Sequence, residues 1–253
     1  MLDINNINAL SGTDIYWNMI VDSTNTRARK KIFEGARLPF VIIADRQTAG
    51  RGRMGRRFYS RRGGIYMSFA FKSNSICDSV SVTTAAAAAV TKALCECCEG
   101  DFQIKWVNDV YQNGKKVCGI LTEAVSGIGD ESFVIVGIGI NVGKTKFPKA
   151  IRDVATSVTL KSTKEELIAK ITSLLAEFAS DVSDRSYMEF YREHFMILGA
   201  YVSAICDGEE ICGRVTGVDD DGALLLLRGG DATPIRIFSG EVTIRPSNSD
   251  TNA

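Results

Sequence analysis

The sequence predicts an α+β fold: a mixed β-sheet with helices packed on it, followed by a small β-barrel. Three observations predict it. Strand-like apolar runs are mixed with long helical stretches up to Gly199. Beyond Gly199, short strands recur, punctuated by Asp207-Gly208, Asp221-Gly222 and Gly229-Gly230, at the spacing of a small barrel. With 253 residues and 45% hydrophobic content, the chain can bury a core without covalent staples and fits one main domain plus a small one. The predicted division is residues 1–199 and 200–253.

The elements follow in order. Asp14–Val21 reads as a strand, and Ser23 or Thr24 is an N-cap for a helix ending near Gly35. Phe40–Ala44 is a second strand, leading into a long Gly/Arg loop. Ile65–Phe71 alternates as a strand does, and Ser79–Cys98, with its alanine run at 85–89, is a long buried helix. Gln103–Trp106 is a strand. Asn113-Gly114 between two strand-like segments is a hairpin signal, because a two-residue turn there needs positive φ. Phe133–Val142 is a central strand whose Gly137 and Gly139 imply that something approaches it closely. Thr163 and Glu166 form a capping box for a helix running to about Val182, and another helix spans Tyr187–Leu198. Pro246–Ala253 reads as a tail.

Thirty basic and thirty acidic residues balance, which argues against a general nucleic-acid or membrane coat, so any anion site is local. Seven cysteines lack the spacing of a secreted disulfide framework. Cys95, Cys97 and Cys98 contain a C-x-x-C pair, but no second pair completes four zinc ligands; they read as small buried residues on a helix. Met1–Ile20 lacks the basic and apolar regions of a signal peptide, and no stretch reaches the roughly 18 apolar residues of a membrane span. A cytoplasmic location is the expectation. The segment before the first strand is too short for a helix-turn-helix module, so DNA binding through one is not expected.

Residues 51–62 hold six arginines and no acid. Gly50, Gly52 and Gly55 let the backbone take φ > 0 and approach a ligand, and arginine forks suit carboxylate and phosphate. The pattern fits a small-anion site. A second constellation is Lys105-Trp-Val-Asn108-Asp109 followed by Lys116-Val-Cys-Gly119-Ile-Leu. On a regular strand Lys116 shares an apolar face with Cys118 and Ile120, where it is either surface or a working charge. Asn108 and Asp109 could orient a metal or an amine, or simply start a turn. The single histidine, His194, lies far along the chain, which disfavours Ser–His and Cys–His catalysis and histidine metal sites. A set of Arg, Lys and one Asp points instead to charge-stabilised phosphoryl or nucleotidyl transfer. No P-loop pattern is present.

Asp22-Ser23-Thr24-Asn25, Gln47-Thr-Ala-Gly50-Arg51-Gly52-Arg53-Met-Gly55-Arg56, Lys105-Trp-Val-Asn108-Asp109, Lys116-Val-Cys-Gly119 and Gly137-Ile-Gly139-Ile-Asn141 together resemble the biotin–protein ligases, in order over residues 14–142. Phe238-Ser-Gly240-Glu241-Val-Thr-Ile-Arg245 is a weaker echo of that family's small C-terminal domain, which makes the expected barrel SH3-like. The resemblance implies that Ser23, Thr24, Asn25, Gln47, Gly50, Arg51, Gly52, Arg53, Lys116, Gly119 and Gly137 bind biotin. It implies that Arg53, Arg56, Phe58, Asn108, Lys116 and Asn141 bind ATP, that Lys116, Arg53 and Asp109 are catalytic, and that Asp109 serves Mg²⁺ or the attacking amine. The Gly/Arg loop would order over biotin and its adenylate. Two positions depart from the pattern: Val107 stands where the family usually has Pro, and Phe58 where it has Trp. Phe58 keeps an aromatic face but lacks the indole donor.

The activity implied is formation of biotinyl-5'-AMP from biotin and ATP, then transfer to a lysine of a biotin carboxyl carrier protein or domain of a carboxylase. The alternative is a lipoate–protein ligase, which the G-R-G-R-x-G-R run disfavours. A non-catalytic biotin sensor and a basic-loop RNA binder are more distant readings. The resemblance leaves open a monomer or a homodimer paired edge to edge through sheets.

Overall fold

The structure, a computed structural model, describes residues 2–73, 79–128, 131–206 and 208–245. Asp207 of the first expected barrel turn and the tail Pro246–Ala253 lie outside them. A helix missed in the sequence comes first, α1 (Ile4–Ser11). Asp3 caps it by accepting from the Asn6 N–H, Gly12 ends it at φ 65°, and Ile7 is its buried anchor.

β1 (Asp14–Val21) and β2 (Phe40–Gln47) pair in parallel because α2 (Thr24–Phe33) crosses between them. The strands that follow are antiparallel: β3 (Ile65–Ser73), then, beyond α3 (Ser79–Cys97), β4 (Gln103–Lys105), β5 (Asp109–Gln112), β6 (Lys115–Ile128) and β7 (Glu131–Ile140). Their order, β1-β2-β3-β7-β6-β5-β4, makes the mixed sheet. Asn113 at φ 50° and Gly114 at φ 73° form the tight turn between β5 and β6.

Alternation sorts each strand between two faces. Val41, Ile43, Phe69, Val134 and Val136 point to the core under α3 and α4 (Lys164–Ser180). Phe40, Ile42, Ala70, Phe133, Ile135 and Val125 point the other way, against Ala28 and Ile32 of α2. Along β7 this second register runs Phe133, Ile135, Gly137, Gly139. Side chains fill the space beneath α2, and the glycines leave it open beyond the helix's N-terminal end. The capping box of Thr163 and Glu166 is formed as expected.

By length and composition the Val80–Cys97 window of α3 could cross a membrane, although no long uninterrupted apolar run was found in the sequence. Its residues are 78% buried inside the fold, as suits a core helix. Cys95 and Cys97 end it and Cys98 follows just beyond; burial pushes the Cys98 thiol up to about 12. His194 follows α5 (Tyr187–Glu193), which stops short of the expected Leu198, and its ring stacks on Phe190 at 4.0 Å.

The C-terminal strands β8 (Tyr201–Cys206), β9 (Glu209–Val218), β10 (Leu224–Leu227), β11 (Ile235–Ile237) and β12 (Glu241–Ile244) form a separate antiparallel sheet in the order β11-β10-β9-β8-β12. Among the described residues no ladder joins β11 to β12. The small sheet docks through its Asp221-Gly222 turn. The Trp106 indole N–H donates to the Gly222 carbonyl at 2.9 Å, and a Cβ at Gly222 would meet Val80 and Thr84 at 3.0–3.1 Å.

Candidate active site

The two glycines of β7 floor a cavity of about 350 Å³ that also meets α2, β2, β5, β6, the Gly/Arg loop and β12. Ser23, Thr24 and Asn25 form one wall and are only 3–4% exposed. Ser23 occupies the N-cap position of α2, as expected, but its side chain makes no cap bond. Gln47 caps the helix from β2 instead: its Oε1 accepts from the Thr24 N–H at 2.8 Å and from the Thr24 hydroxyl at 3.2 Å. Gln47 reaches this position because β2 runs three residues past its predicted end, and its Nε2 donates to Ser60 at 2.9 Å.

Both glycines of β7 are needed for contact. A Cβ on Gly137 would lie 2.2 Å from Asn25 Oδ1, and one on Gly139 would lie 2.4 Å from the Phe58 ring. The close approach foreseen for this strand thus comes from the protein's own side chains. Phe58 packs edge-on against Tyr66 at 6.4 Å and shares the cavity floor with Gly119.

The register of β6 corrects the expectation for Lys116. The β5–β6 pairing shifts between Val110 and Tyr111, so Tyr111 pairs Lys116 while Val110 pairs Cys118. The extra residue is a bulge, which turns the side chains at one end of the strand over. Cys118 and Ile120 therefore enter the helix-side core, while Lys116 shares the cavity face with Gly119, whose Cβ would stand 3.1 Å from Lys116 Nζ. Lys116 Nζ lies 2.7 Å from Asp109 Oδ1. That oxygen is buried and makes no well-aligned hydrogen bond, so the pair is a charge contact. Asn108 holds the β5 end by donating to the Ile120 carbonyl at 2.8 Å. The Trp106–Val107 peptide just before it is cis.

In the Gly/Arg loop, positive φ falls on Gly55 (73°) and Met54 (53°), not on Gly50 or Gly52. Gly50 is required for a different reason: a Cβ there would strike Ser60 Oγ at 2.5 Å and the Phe58 carbonyl at 2.6 Å. The loop's arginines reach separate anchors. Arg51 pairs with Glu123 at 3.1 Å. Arg53 donates to Asn108 Oδ1 at 3.2 Å and to the Gly240 carbonyl at 3.1 Å. Arg56 pairs with Glu241. Burial draws the Arg53 guanidinium below its usual pKa, against the opposing pull of Asp109 and Glu241. Asn141 lines the cavity and donates to the Thr156 carbonyl at 3.1 Å.

Thus Ser23, Thr24, Asn25, Gln47, Arg51, Gly52, Arg53, Arg56, Phe58, Asn108, Asp109, Lys116, Gly119, Gly137 and Asn141 all line one cavity, with Gly50 packed just behind it. Glu123 was not singled out from the sequence, and nothing but its place in the cavity-facing register of β6 could have flagged it.

The sequence profile of the biotin/lipoate A/B protein ligase family matches residues 17–141, and that of the biotin protein ligase C-terminal domain matches residues 198–245. The bifunctional ligase/repressor BirA of Bacillus subtilis is 31% identical over 85% of this chain and 70% of that protein. The biotin–[acetyl-CoA-carboxylase] ligase of Paracoccus denitrificans is 30% identical over 81% of this chain and 90% of that protein. A solved structure of the biotin protein ligase from Aquifex aeolicus in complex with biotin and ATP superposes with a TM-score of 0.77 at 32% identity, covering 92% of this chain and 99% of that one. The chain belongs to the biotin/lipoate A/B protein ligase family, on its biotin–protein ligase branch.

Proposed function

We propose that this protein is an ATP-dependent biotin–protein ligase that forms biotinyl-5'-AMP and passes the biotinyl group to a lysine of a biotin carboxyl carrier protein or domain. One observation carries the reading: a buried polar wall and a cationic centre face each other across a single cavity floored by glycines. Biotin would lie against Ser23, Thr24, Asn25, Gln47, Gly50, Arg51, Gly52, Gly119 and Gly137. ATP would lie toward Arg53, Arg56, Phe58, Asn108 and Asn141. Lys116 would stand between the biotin carboxylate and the α-phosphate. The names of relatives and the ligands of the Aquifex structure support biotin over lipoate.

The chemistry takes two steps. A carboxylate oxygen of biotin attacks the α-phosphorus, and the bond to pyrophosphate breaks. The acceptor amine then attacks the acyl carbon, and the bond to AMP breaks. Both steps gather negative charge where Lys116 and Arg53 stand. At an effective dielectric near 20, one cation about 4 Å from an anion contributes roughly 4 kcal/mol. Closure of the Gly/Arg loop would keep water from the mixed anhydride.

Mg²⁺ belongs to the same proposal. Asp109 fits it, since its buried Oδ1 is a hard oxygen ligand held by the charge contact with Lys116 and not by an aligned hydrogen bond. When bound, the ion neutralises phosphate oxygens. The proposed domains are 1–199 for biotin and ATP and 200–253 for the small β domain, a division supported by the two profile matches. Cytoplasmic location is likewise proposed. A second copy would pair at the outer edge of β1, where Met19 and Ile20 are exposed.

The test is incubation with ATP, Mg²⁺, biotin and a biotin carboxyl carrier domain, read by intact-mass spectrometry. The acceptor is expected to gain one biotinyl group. No gain, or a gain only when lipoate replaces biotin, overturns the reading.

A further inference from the structure

Glu123 sits on β6 in the register that faces the cavity, between core Val125 and cavity-lining Leu121. Its side chain is only 19% exposed, and a carboxylate so placed is costly unless donors meet it. Two do, at a single oxygen: Oε2 accepts from Asn25 Nδ2 at 2.8 Å and from Arg51 Nη2 at 3.1 Å. The Asn25 amide is fixed from its other end as well, because Oδ1 accepts from the Ser68 hydroxyl at 2.6 Å. Asn25 belongs to the buried wall, whereas the Arg51 side chain is 44% exposed and belongs to the Gly/Arg loop. One carboxylate oxygen therefore ties the fixed wall to the loop above it.

We infer that Glu123 is a positioning residue for the biotin end of the site: it orients the Asn25 amide and latches the Gly/Arg loop down through Arg51. The inference rests on the ligase reading given above. Lys116, Asp109 and Arg53 make none of these contacts, so the latch governs retention of biotin and of its adenylate, not the charge stabilisation of the phosphoryl step.

Glu123→Gln keeps an acceptor for Asn25 and removes the charge facing Arg51. Arg51→Met removes the other end of the pair from an exposed loop position, so it tests the latch even where a change at Glu123 harms folding. A charge-assisted hydrogen bond lost from binding corresponds to about a tenfold rise in biotin KM for each variant. For Glu123→Gln, kcat of adenylate formation at saturating biotin stays within about twofold, while biotinyl-adenylate escapes faster in a chase without acceptor. The double variant is no worse in KM than Arg51→Met alone, because the Glu123 change then has no ion pair left to remove. Effects that multiply, or a fall in kcat with KM unchanged, overturn the latch. Wild-type protein that makes no adenylate refutes the ligase reading itself; active wild type with unaltered variants refutes the latch alone.

Discussion

The strand platform and the Gly/Arg loop face the same cavity, but different forces hold them. On the platform, Gln47, Asn108 and Asn141 are tied by neutral hydrogen bonds to backbone or buried partners, Asn25 is held between the Ser68 hydroxyl and the Glu123 carboxylate, and Gly137 and Gly139 admit no other side chain. Such a site is built when the protein folds. The loop buries little of its own: Met54, Gly55, Arg56 and Arg57 are exposed. It is fastened by arginines to four remote points, Glu123 on β6, Asn108 before β5, Gly240 before β12 and Glu241 within it. Packing fixes geometry, whereas exposed ion pairs are weak and screened by salt, so a loop held by them can open and close.

That contrast orders the effects of substitution. Lys116→Ala removes the cation beside Asp109, and adenylate formation is expected to fall roughly 10³-fold by rapid quench, since about 4 kcal/mol of charge stabilisation is lost. A residual rate near wild type would place the chemistry elsewhere. Gly137→Ala comes next. Its Cβ displaces Asn25, so biotin binding measured by calorimetry collapses and stability falls by about 1–3 kcal/mol in denaturant. Tight biotin binding by that variant would mean that the wall is not where biotin sits. Arg53→Met should slow adenylation about 10–100-fold, as befits a partly buried charge-assisted donor. Arg56→Ala should cost the least stability. Its ion pair is two-thirds exposed on the arginine side, so denaturant stability shifts by less than about 1 kcal/mol, and less again at high salt.

The same contrast separates what could be read in the sequence from what could not. Local rules were legible: Asn113-Gly114 makes its turn, Thr163 and Glu166 cap α4, and β1 is bounded by the residues expected. The motifs also gathered into one cavity, because each lies at the end of a strand or helix whose periodicity was plain. What escaped depends on tertiary partners. α1 is asparagine-rich with weak propensity, and it is held by burial of Ile7 and by the bond from the Asp3 N–H to Glu165 on α4. The facing of Lys116 hangs on a bulge that strict alternation cannot foresee. Glu123 and Glu241 lie far along the chain from the arginines they hold, at separations no local pattern spans.

Amide hydrogen exchange across residues 50–57, with and without biotin and ATP, tests the division between platform and loop most directly. The account predicts that the loop is only weakly protected alone and gains strong protection when both substrates are bound, while β6 and β7 are equally protected in both states. Protection of the loop that is unchanged by substrates, or β6 and β7 gaining as much as the loop, would contradict it.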